Sequence, residues 1–281
     1  MDVRRFETVE AFLAGAGGFL AAREAEHTLI FGICSNVQAN PGLYGETPPY
    51  LAVVLHGSSV VAAAIRTPPW RLVLSEIDHP TAVQLLAADL DADDLPGVQG
   101  PAGVASAFAT AWTRRTGRPA RALRHLRIFQ LTNVTQPILA PGHMADATPA
   151  DRTLVATWLR AFHDEALSGN PERDYDDMAA RFIAGQGRRL VLWIDDGRPV
   201  SLTGIGGRTP NGIRIGPVYT PPELRDRGYA SNLVAEASQA ELDAGRRFVF
   251  LFTDLANPTA NRIYQAIGYE PIGDVDEFAF G

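Results

Sequence analysis

One segment of the sequence constrains the fold most, because it joins a strand pattern to a helix pattern through a charged loop that contains glycine. Residues 213–219 form an apolar run typical of a β-strand, and the following segment, residues 224–231, opens a helical pattern that continues to about residue 244. The first N–H groups of such a helix lack intrahelical acceptors, and the helix dipole adds partial positive charge there. We therefore predict that this turn binds an anion such as a diphosphate.

The loop itself, residues 224–231, narrows the kind of anion site. Gly228 lets the backbone approach a ligand closely, Ala230 leaves the helix mouth uncrowded, and Arg225 and Arg227 add two fixed charges that suit phosphate. A Walker loop would need Lys followed by Ser or Thr, and a dinucleotide fingerprint would need three spaced glycines; the loop has neither. The pattern that the loop does contain is Arg225-x-x-Gly228-x-Ala230. By itself this pattern fits a phosphate-binding loop, but it also fits an ordinary strand-to-helix turn with solvated arginines.

A second segment lies one helix and one apolar strand further along the chain, at residues 257–269. Asn257 is a suitable N-cap, Pro258 suits the first helical position, and Gly268 is placed to stop the helix in the left-handed conformation. The segment reads Asn257-x-x-Ala260-x-x-x-Tyr264-x-x-x-Gly268-Tyr269.

In this order, the two segments resemble the coenzyme A loop and the following helix of the GNAT superfamily of acyltransferases. The family patterns are Gln or Arg-x-x-Gly-x-Gly or Ala, and Asn-x-x-Ala-x-x-x-Tyr-x-x-x-Gly-aromatic, and the resemblance covers residues 151–281. It implies an α/β (α+β) fold, a mixed and mostly antiparallel sheet with helices on both faces. Two neighbouring parallel strands, residues 213–219 and 248–253, are expected to splay apart at their ends.

The resemblance also implies roles for individual residues. Acetyl-CoA is the expected acyl donor, and Tyr264 is the expected general acid toward the departing sulfur, although a core aromatic is the alternative reading. Asn257 and Asn261 have ordinary readings too, as a helix cap and a solvated helix residue. The expected cofactor-binding residues are Val218, Tyr219, Thr220, Arg225, Asp226, Arg227, Gly228, Tyr229, Ala230, Ser231, Asn257 and Asn261.

The implied reaction is N-acetylation, in which the primary amine of a small molecule or peptide attacks the thioester directly, without a metal. The general base cannot be identified from the sequence, and His163 and Glu223 are the candidates. The acidic segment at residues 164–177 suits a cationic amine, but it also fits a solvated surface. The alternative function is a coenzyme A-binding regulatory or scaffolding module without turnover.

The first half repeats the order of elements in the second, with an Arg-Thr-Pro segment after a hairpin in each half. We therefore predict tandem GNAT-like units: a degenerate domain at residues 1–135, a Pro/Thr/Ala-rich linker, and a catalytic domain at residues 146–281. Gly100-Pro101 is matched with Gly216-Pro217. The first unit lacks both motifs, so we expect it to have lost coenzyme A binding. An unrelated α/β domain is the alternative.

Composition excludes several other classes of protein. The net charge of −7 over 281 residues argues against broad binding of nucleic acid. A single cysteine, Cys34, excludes an intramolecular disulfide framework and fits a reducing compartment. The first residues are charged and no run is long enough to span a bilayer, so we expect a cytoplasmic protein without a membrane partner. The expected oligomeric state is a monomer or homodimer.

Overall fold

The computed structural model describes residues 1–91, 95–167 and 173–281. These residues form two compact units: Met1–Ile128 together with Ile272–Gly281, and Phe129–Pro271. The boundaries therefore differ from the predicted domains, since the last ten residues pack in the first unit and not in the second. The part of chain predicted as a linker, near residues 133–148, belongs to the second unit.

The elements alternate between strands and helices along both units. In chain order they are β1 (Asp2–Arg5), α1 (Val9–Ala21), α2 (Thr28–Ala39), β2 (Tyr50–His56), β3 (Ser59–Arg66), β4 (Leu72–Leu74), α3 (Pro80–Asp89), β5 (Gly97–Pro101), α4 (Ala102–Thr116), β6 (Ala120–Leu131), β7 (His143–Asp146), α5 (Arg152–Ala166), α6 (Tyr175–Ile183), β8 (Arg188–Asp195), β9 (Arg198–Gly206), β10 (Gly212–Tyr219), α7 (Tyr229–Asp243), β11 (Phe248–Asp254), α8 (Pro258–Ile267) and β12 (Glu270–Phe280). Short 3-10 helices at Pro149–Asp151 and Pro222–Leu224 precede α5 and α7.

Each unit contains a mostly antiparallel sheet with one parallel pair. In the first unit the strand order is β1-β2-β3-β4-β5-β12-β6, and β4 runs parallel to β5. In the second unit the order is β11-β10-β9-β8-β7, and β10 runs parallel to β11. The strand β12 therefore comes from the end of the chain and completes the sheet of the first unit, where it pairs antiparallel with β5.

Helices cover both faces of each sheet, because successive strand side chains point to opposite faces. In β2, Val54 packs with α3 and α4 in one cluster, whereas Val53 packs with α1 and α2 in another. In β8, Val191 packs with α7 and α8, whereas Leu192 packs with α5 and α6. This architecture confirms the predicted α/β (α+β) fold.

The order of elements in the first unit, from β1 to β6, repeats from β7 to β12, which supports the proposed tandem arrangement. The parallel pairs place β4 and β5 as counterparts of β10 and β11. The predicted match of Gly100-Pro101 with Gly216-Pro217 is therefore wrong, since the first pair ends β5 and the second lies in β10. The counterpart of α7 is α3, and that of α8 is α4.

The described helices include none long and apolar enough to cross a lipid bilayer. Cys34 is buried in α2, where burial raises the pKa of its thiol to about 12. The thiol is therefore protonated and inert near neutral pH.

Candidate acyl-donor site

The strand β10 leaves its parallel neighbour soon after the two strands begin. It pairs with β11 over Gly212–Arg214 and Phe248–Phe250, and the described residues show no further pair between the two strands, although both continue. On its other side, β10 has a bulge between Ile215 and Val218, where it takes one more residue than β9. These features match the predicted splay of the two strands.

The predicted strand residues that follow the bulge face opposite sides. Val218 packs against the cluster of α7 and α8, and Tyr219 packs against the cluster of α5 and α6. Two buried hydroxyl groups of β9 hold this part of the backbone: Thr203 donates to the carbonyl of Pro217 at 3.0 Å, and Ser201 donates to the carbonyl of Tyr219 at 3.1 Å.

The next predicted residue, Thr220, is also fixed by β9. Its hydroxyl lies 2.9 Å from the hydroxyl of Ser201. Ser201 and Thr203 are therefore site-supporting residues that the sequence motifs do not reveal, because no motif includes β9.

The loop before α7 offers a run of backbone donors. In the described structure, the N–H groups of residues 226–231 have no protein acceptor, and the first helical hydrogen bond of α7 runs from the N–H of Asn232 to the carbonyl of Gly228 at 3.0 Å. The run contains every predicted loop residue after Arg225: Asp226, Arg227, Gly228, Tyr229, Ala230 and Ser231. Successive free N–H groups at a helix N-terminus form an anion-binding concavity.

Two backbone conformations shape this concavity. Gly228 is the N-cap of α7 with φ of 78°, and Asp226 has φ of 61°, so both lie in the left-handed region that favours glycine. A β-carbon at Gly228 would lie 3.5 Å from the nearest side-chain atoms, those of Ala140 and Asn232. A β-carbon would therefore fit at this position in ordinary van der Waals contact, and the backbone conformation is what selects glycine there.

Arg225 lies in a network of its own. Its Nε donates to the carbonyl of Thr220 at 2.9 Å, and its Nη2 donates to both carboxylate oxygens of Glu165, at 3.0 and 2.7 Å. The guanidinium also lies over the ring of Tyr219, 5.9 Å from the centroid. Arg225 therefore bonds to α5, a contact that the sequence motif does not reveal.

Arg227 and Tyr229 support the same loop from within the second unit. Arg227 donates to the carbonyl of Glu223 at 3.3 Å, and its side chain is exposed. Tyr229 is buried and donates its hydroxyl to Asp195 at 2.5 Å, and this hydrogen bond raises the pKa of the tyrosine. Asp195 ties the start of α7 to the hairpin of β8 and β9, and no sequence signal pointed to it.

The two predicted asparagines act on the backbone at the start of α8. The Asn257 side chain accepts the N–H of Ala260 at 3.0 Å, so it is the predicted N-cap. The Asn261 side chain donates to the carbonyls of Asp254 and Asn257, at 2.9 and 2.7 Å. Both residues therefore shape the turn from β11 into α8.

Tyr264 lies two turns into α8 and is 9% exposed. Its ring packs near Phe129 and Tyr269, with centroids 6.5 and 6.0 Å away. Burial raises the pKa of Tyr264 to about 12. Among the described residues, none forms a hydrogen bond with its hydroxyl, whereas Tyr269 beside it bonds to Ser238 at 2.8 Å. The Tyr264 hydroxyl is thus a free donor that keeps its proton at neutral pH.

The candidate bases lie in different surroundings. His163 is buried in α5 and stacks edge-on against Tyr175, 5.7 Å between centroids, which favours a packing role. Glu223 is exposed in the 3-10 helix before the loop. In the acidic segment, Asp174 caps α6 and Asp176 bonds to Arg152, while residues 168–172 lie outside the described part of the chain.

Comparison with known protein families gives one match, in the part of the chain that carries this site. Residues 155–269 match the model of the acetyltransferase (GNAT) family, and this range contains both motifs. No curated protein sequence matches the chain.

Solved structures resemble the whole chain. A Drosophila protein has a TM-score of 0.71 and 12% identity, over 99% of this chain and 98% of its own. A tandem GNAT protein from the clavulanic acid biosynthesis pathway has a TM-score of 0.59 and 15% identity, over 100% and 98%. A GCN5-related N-acetyltransferase from Sphaerobacter thermophilus has a TM-score of 0.58 and 19% identity, over 99% and 95%.

At these identities the structural likeness establishes the fold. The family match adds the relationship for the part of the chain that carries the loop before α7 and the helix α8. Residues 155–269 therefore form a domain of the GNAT family of acetyltransferases.

Proposed function

We propose that the protein is an N-acetyltransferase that moves acetyl from acetyl-CoA to a primary amine of a small molecule or peptide. The observation that carries the proposal is the run of N–H groups at residues 226–231, which have no acceptor in the described structure and lie within the family motif. A diphosphate is a suitable acceptor for such a run, because its oxygens are negative and the helix dipole favours negative charge.

The residues present fit an acyl donor of this kind. The N–H groups of residues 226–231 would hold the diphosphate, Gly228 supplies the conformation that aligns them, and Arg227 adds an exposed positive charge. The edge of β10 at Val218, Tyr219 and Thr220 would hold the pantetheine arm like an added strand. Asn257 and Asn261 fix the turn beside that edge.

When bound, the donor supplies an acetyl group activated as a thioester. The chain's own contribution to the transfer is the hydroxyl of Tyr264, which would donate its proton or a hydrogen bond to the sulfur as negative charge develops there. A pKa of about 12 keeps this hydroxyl protonated at neutral pH. It also exceeds the usual pKa of a thiol, about 8.5. Full proton transfer to the thiolate is thus uphill, and the expected benefit is at the low end for an acid.

We also propose that the first unit binds no coenzyme A. Its counterpart of β10 is the shorter strand β4, which ends at Leu74. Just beyond β4, the N–H of Glu76 already donates to Nε2 of His27 at 3.0 Å. A cytoplasmic location and a monomer or homodimer complete the proposal.

A direct experiment measures free-thiol release from acetyl-CoA with a panel of acceptors, alongside calorimetry of coenzyme A binding. The panel contains alkyl diamines, an arylamine and a short peptide with a free N-terminus. We expect one coenzyme A site and thiol release with at least one class of amine. Binding without release from any acceptor would favour the regulatory or scaffolding alternative, and no binding would reject both functions.

A further inference from the structure

Arg225 belongs to two different environments at once. Its backbone begins the loop that presents the N–H groups of residues 226–231, and the family motif places it first in that loop. Its guanidinium, however, is bonded to both carboxylate oxygens of Glu165 near the end of α5. A guanidinium matches a carboxylate and a phosphate with the same planar fork of donors, so either group can occupy it.

The ion pair between Arg225 and Glu165 is of the kind that is easily exchanged. Both side chains are exposed, 43% for Arg225 and 46% for Glu165, so water screens their attraction. A diphosphate carries more charge than a carboxylate, and the N–H groups of the loop would fix it beside the same arginine. A long arginine side chain on the loop is therefore expected to favour the diphosphate over the carboxylate.

The exchange changes the surroundings of Glu165. Burial and the nearby Glu165 carboxylate raise the pKa of Tyr219 at the end of β10, and Tyr219 packs against Trp158 of α5 with 6.2 Å between centroids. Without the guanidinium, the Glu165 carboxylate is an unneutralised charge at the end of β10, next to the aromatic rings of Tyr219 and Trp158. An alkylammonium suits such a site, because a carboxylate and aromatic faces both attract a cation.

We propose that Glu165 and the donor diphosphate compete for Arg225, so that donor binding releases Glu165 to receive a cationic acceptor amine. This inference rests on the proposed function, since it takes coenzyme A as the donor. It assigns Glu165 as an acceptor-binding residue, and it makes Arg225 the link by which the donor prepares the acceptor site. The donor then binds first, and the acceptor preference is for amines that are cationic in solution.

Coenzyme A affinity tests the competition without knowledge of the acceptor. In the full-length chain, Glu165→Gln removes the competitor for Arg225, and calorimetry should show coenzyme A binding about twofold to fivefold tighter, the range expected for an exposed ion pair. Arg225→Ala should weaken binding by about fivefold or more. In the Arg225→Ala background, Glu165→Gln should have no further effect, because the two changes act through one contact.

Asp164→Asn is the matched control, since Asp164 is the exposed neighbour of Glu165 on α5 and its removal changes net charge equally. If Asp164→Asn tightens binding as much as Glu165→Gln does, or if Arg225→Ala leaves affinity unchanged, the competition is overturned and Arg225 only straps the loop to α5. A wild-type protein that binds no coenzyme A would remove the proposed function itself. Normal wild-type binding with an unresponsive Glu165→Gln would remove the competition alone.

A separate measurement tests whether Glu165 binds the acceptor amine. With saturating acetyl-CoA, Glu165→Gln should raise KM for an alkyl diamine by about tenfold, and it should leave KM for a neutral arylamine within about twofold, since only the first carries charge. An equal change for both amines would show that Glu165 does not bind the acceptor cation.

Discussion

Arg124 and Glu277 lie 153 residues apart in the sequence and form a buried ion pair, in which Nε of Arg124 donates to the carboxylate at 2.8 Å. Both side chains are 7% exposed, and Arg71 also interacts with the same carboxylate. Arg124 is in β6 and Glu277 is in β12, so the pair fixes the C-terminal strand within the sheet of the first unit.

We expect Glu277→Ala to destabilise the first unit by about 3–5 kcal/mol, because it removes the buried carboxylate that neutralises the Arg124 charge. Urea unfolding followed by circular dichroism measures the loss. Asp274→Ala is the matched control, since Asp274 pairs with Arg127 on the same two strands at 34% and 38% exposure and should cost less than about 1 kcal/mol. Equal losses in the two variants would contradict the burial argument.

The stability of the first unit should fall in acid because of His27. This residue is 1% exposed, its Nδ1 bonds to the carbonyl of Leu20 at 2.9 Å, and its Nε2 accepts the N–H of Glu76. Burial lowers the pKa of His27 below its ordinary value. The unfolded chain therefore binds a proton first as the pH falls through about 6.5, and unfolding is favoured from there downward.

The measurement is the melting temperature of the wild type and of His27→Gln between pH 8 and pH 5. We expect the wild type to lose stability over this range, and the variant to be less stable at pH 8 but flatter below pH 6.5. His143→Gln, a change of an exposed histidine, should keep the wild-type slope. A wild-type slope in the His27 variant would assign the acid sensitivity to other groups.

Gly228→Glu should abolish measurable coenzyme A binding, since it places negative charge beside the N–H groups of residues 226–231. Gly228→Ala separates charge from conformation: it imposes the same left-handed strain, about 1–2 kcal/mol, adds no charge, and places its β-carbon in ordinary van der Waals contact, 3.5 Å from the nearest atoms. We expect calorimetry to give at most a modest loss for Ala and a loss greater than about 30-fold for Glu, more than 2 kcal/mol. Equal losses would point to conformation alone.

Wild-type calorimetry should also give one coenzyme A site for each chain. In the first unit the strand β5 stays close to the end of β4. A β-carbon built at Gly100 would lie only 3.0 Å from the β-carbon of Leu74. The acidic residues Glu76 and Asp78 follow β4, whereas Arg225 and Arg227 follow β10 in the second unit. On the other edge of β5, Gly100 pairs with Asp276 of β12. Two sites in each chain would overturn the proposal that the first unit has lost the cofactor.

Tyr264→Phe should lower turnover by at least tenfold while coenzyme A affinity and folding remain nearly unchanged, because only the hydroxyl is removed. General acids contribute about 10²–10⁴-fold, and the pKa of about 12 argues for the low end. The same raised pKa predicts that Tyr264 causes no decline in rate up to pH 10. Turnover within roughly threefold of wild type, less than ~1 kcal/mol of barrier, would make Tyr264 a packing residue.

Tyr269→Phe is the control for this experiment. Tyr269 bonds to buried Ser238 and is 2% exposed, so its loss should cost stability and leave turnover intact. A turnover loss that is equal in the two variants would show that packing around α8, and not proton donation, sets the rate.

The sequence predicted those elements whose signals are local. The strands β10 and β11 lie where the apolar runs at residues 213–219 and 248–253 placed them, and α7 ends at Asp243, next to the predicted end near residue 244. Asn257 caps α8 and Gly268 ends it with φ of 107°, as the capping rules predict. These elements were predictable because a cap, a turn glycine or an apolar period acts within a few residues.

Elements that depend on distant partners were missed. The strand β12 was not predicted, because its charged residues Asp274, Asp276 and Glu277 depress its strand character and find their partners on β6. The ion pair between Arg225 and Glu165 joins residues 60 positions apart in the sequence, and no local pattern encodes it.

The position of β12 has a consequence for the order in which a ribosome delivers the chain. Residues 272–281 emerge only after the whole second unit, so the first unit waits with β5 and β6 exposing unpaired edges. At roughly 5–20 residues per second, this interval lasts many seconds. During this interval, the nascent first unit is open to chaperone binding and to strand pairing with other chains.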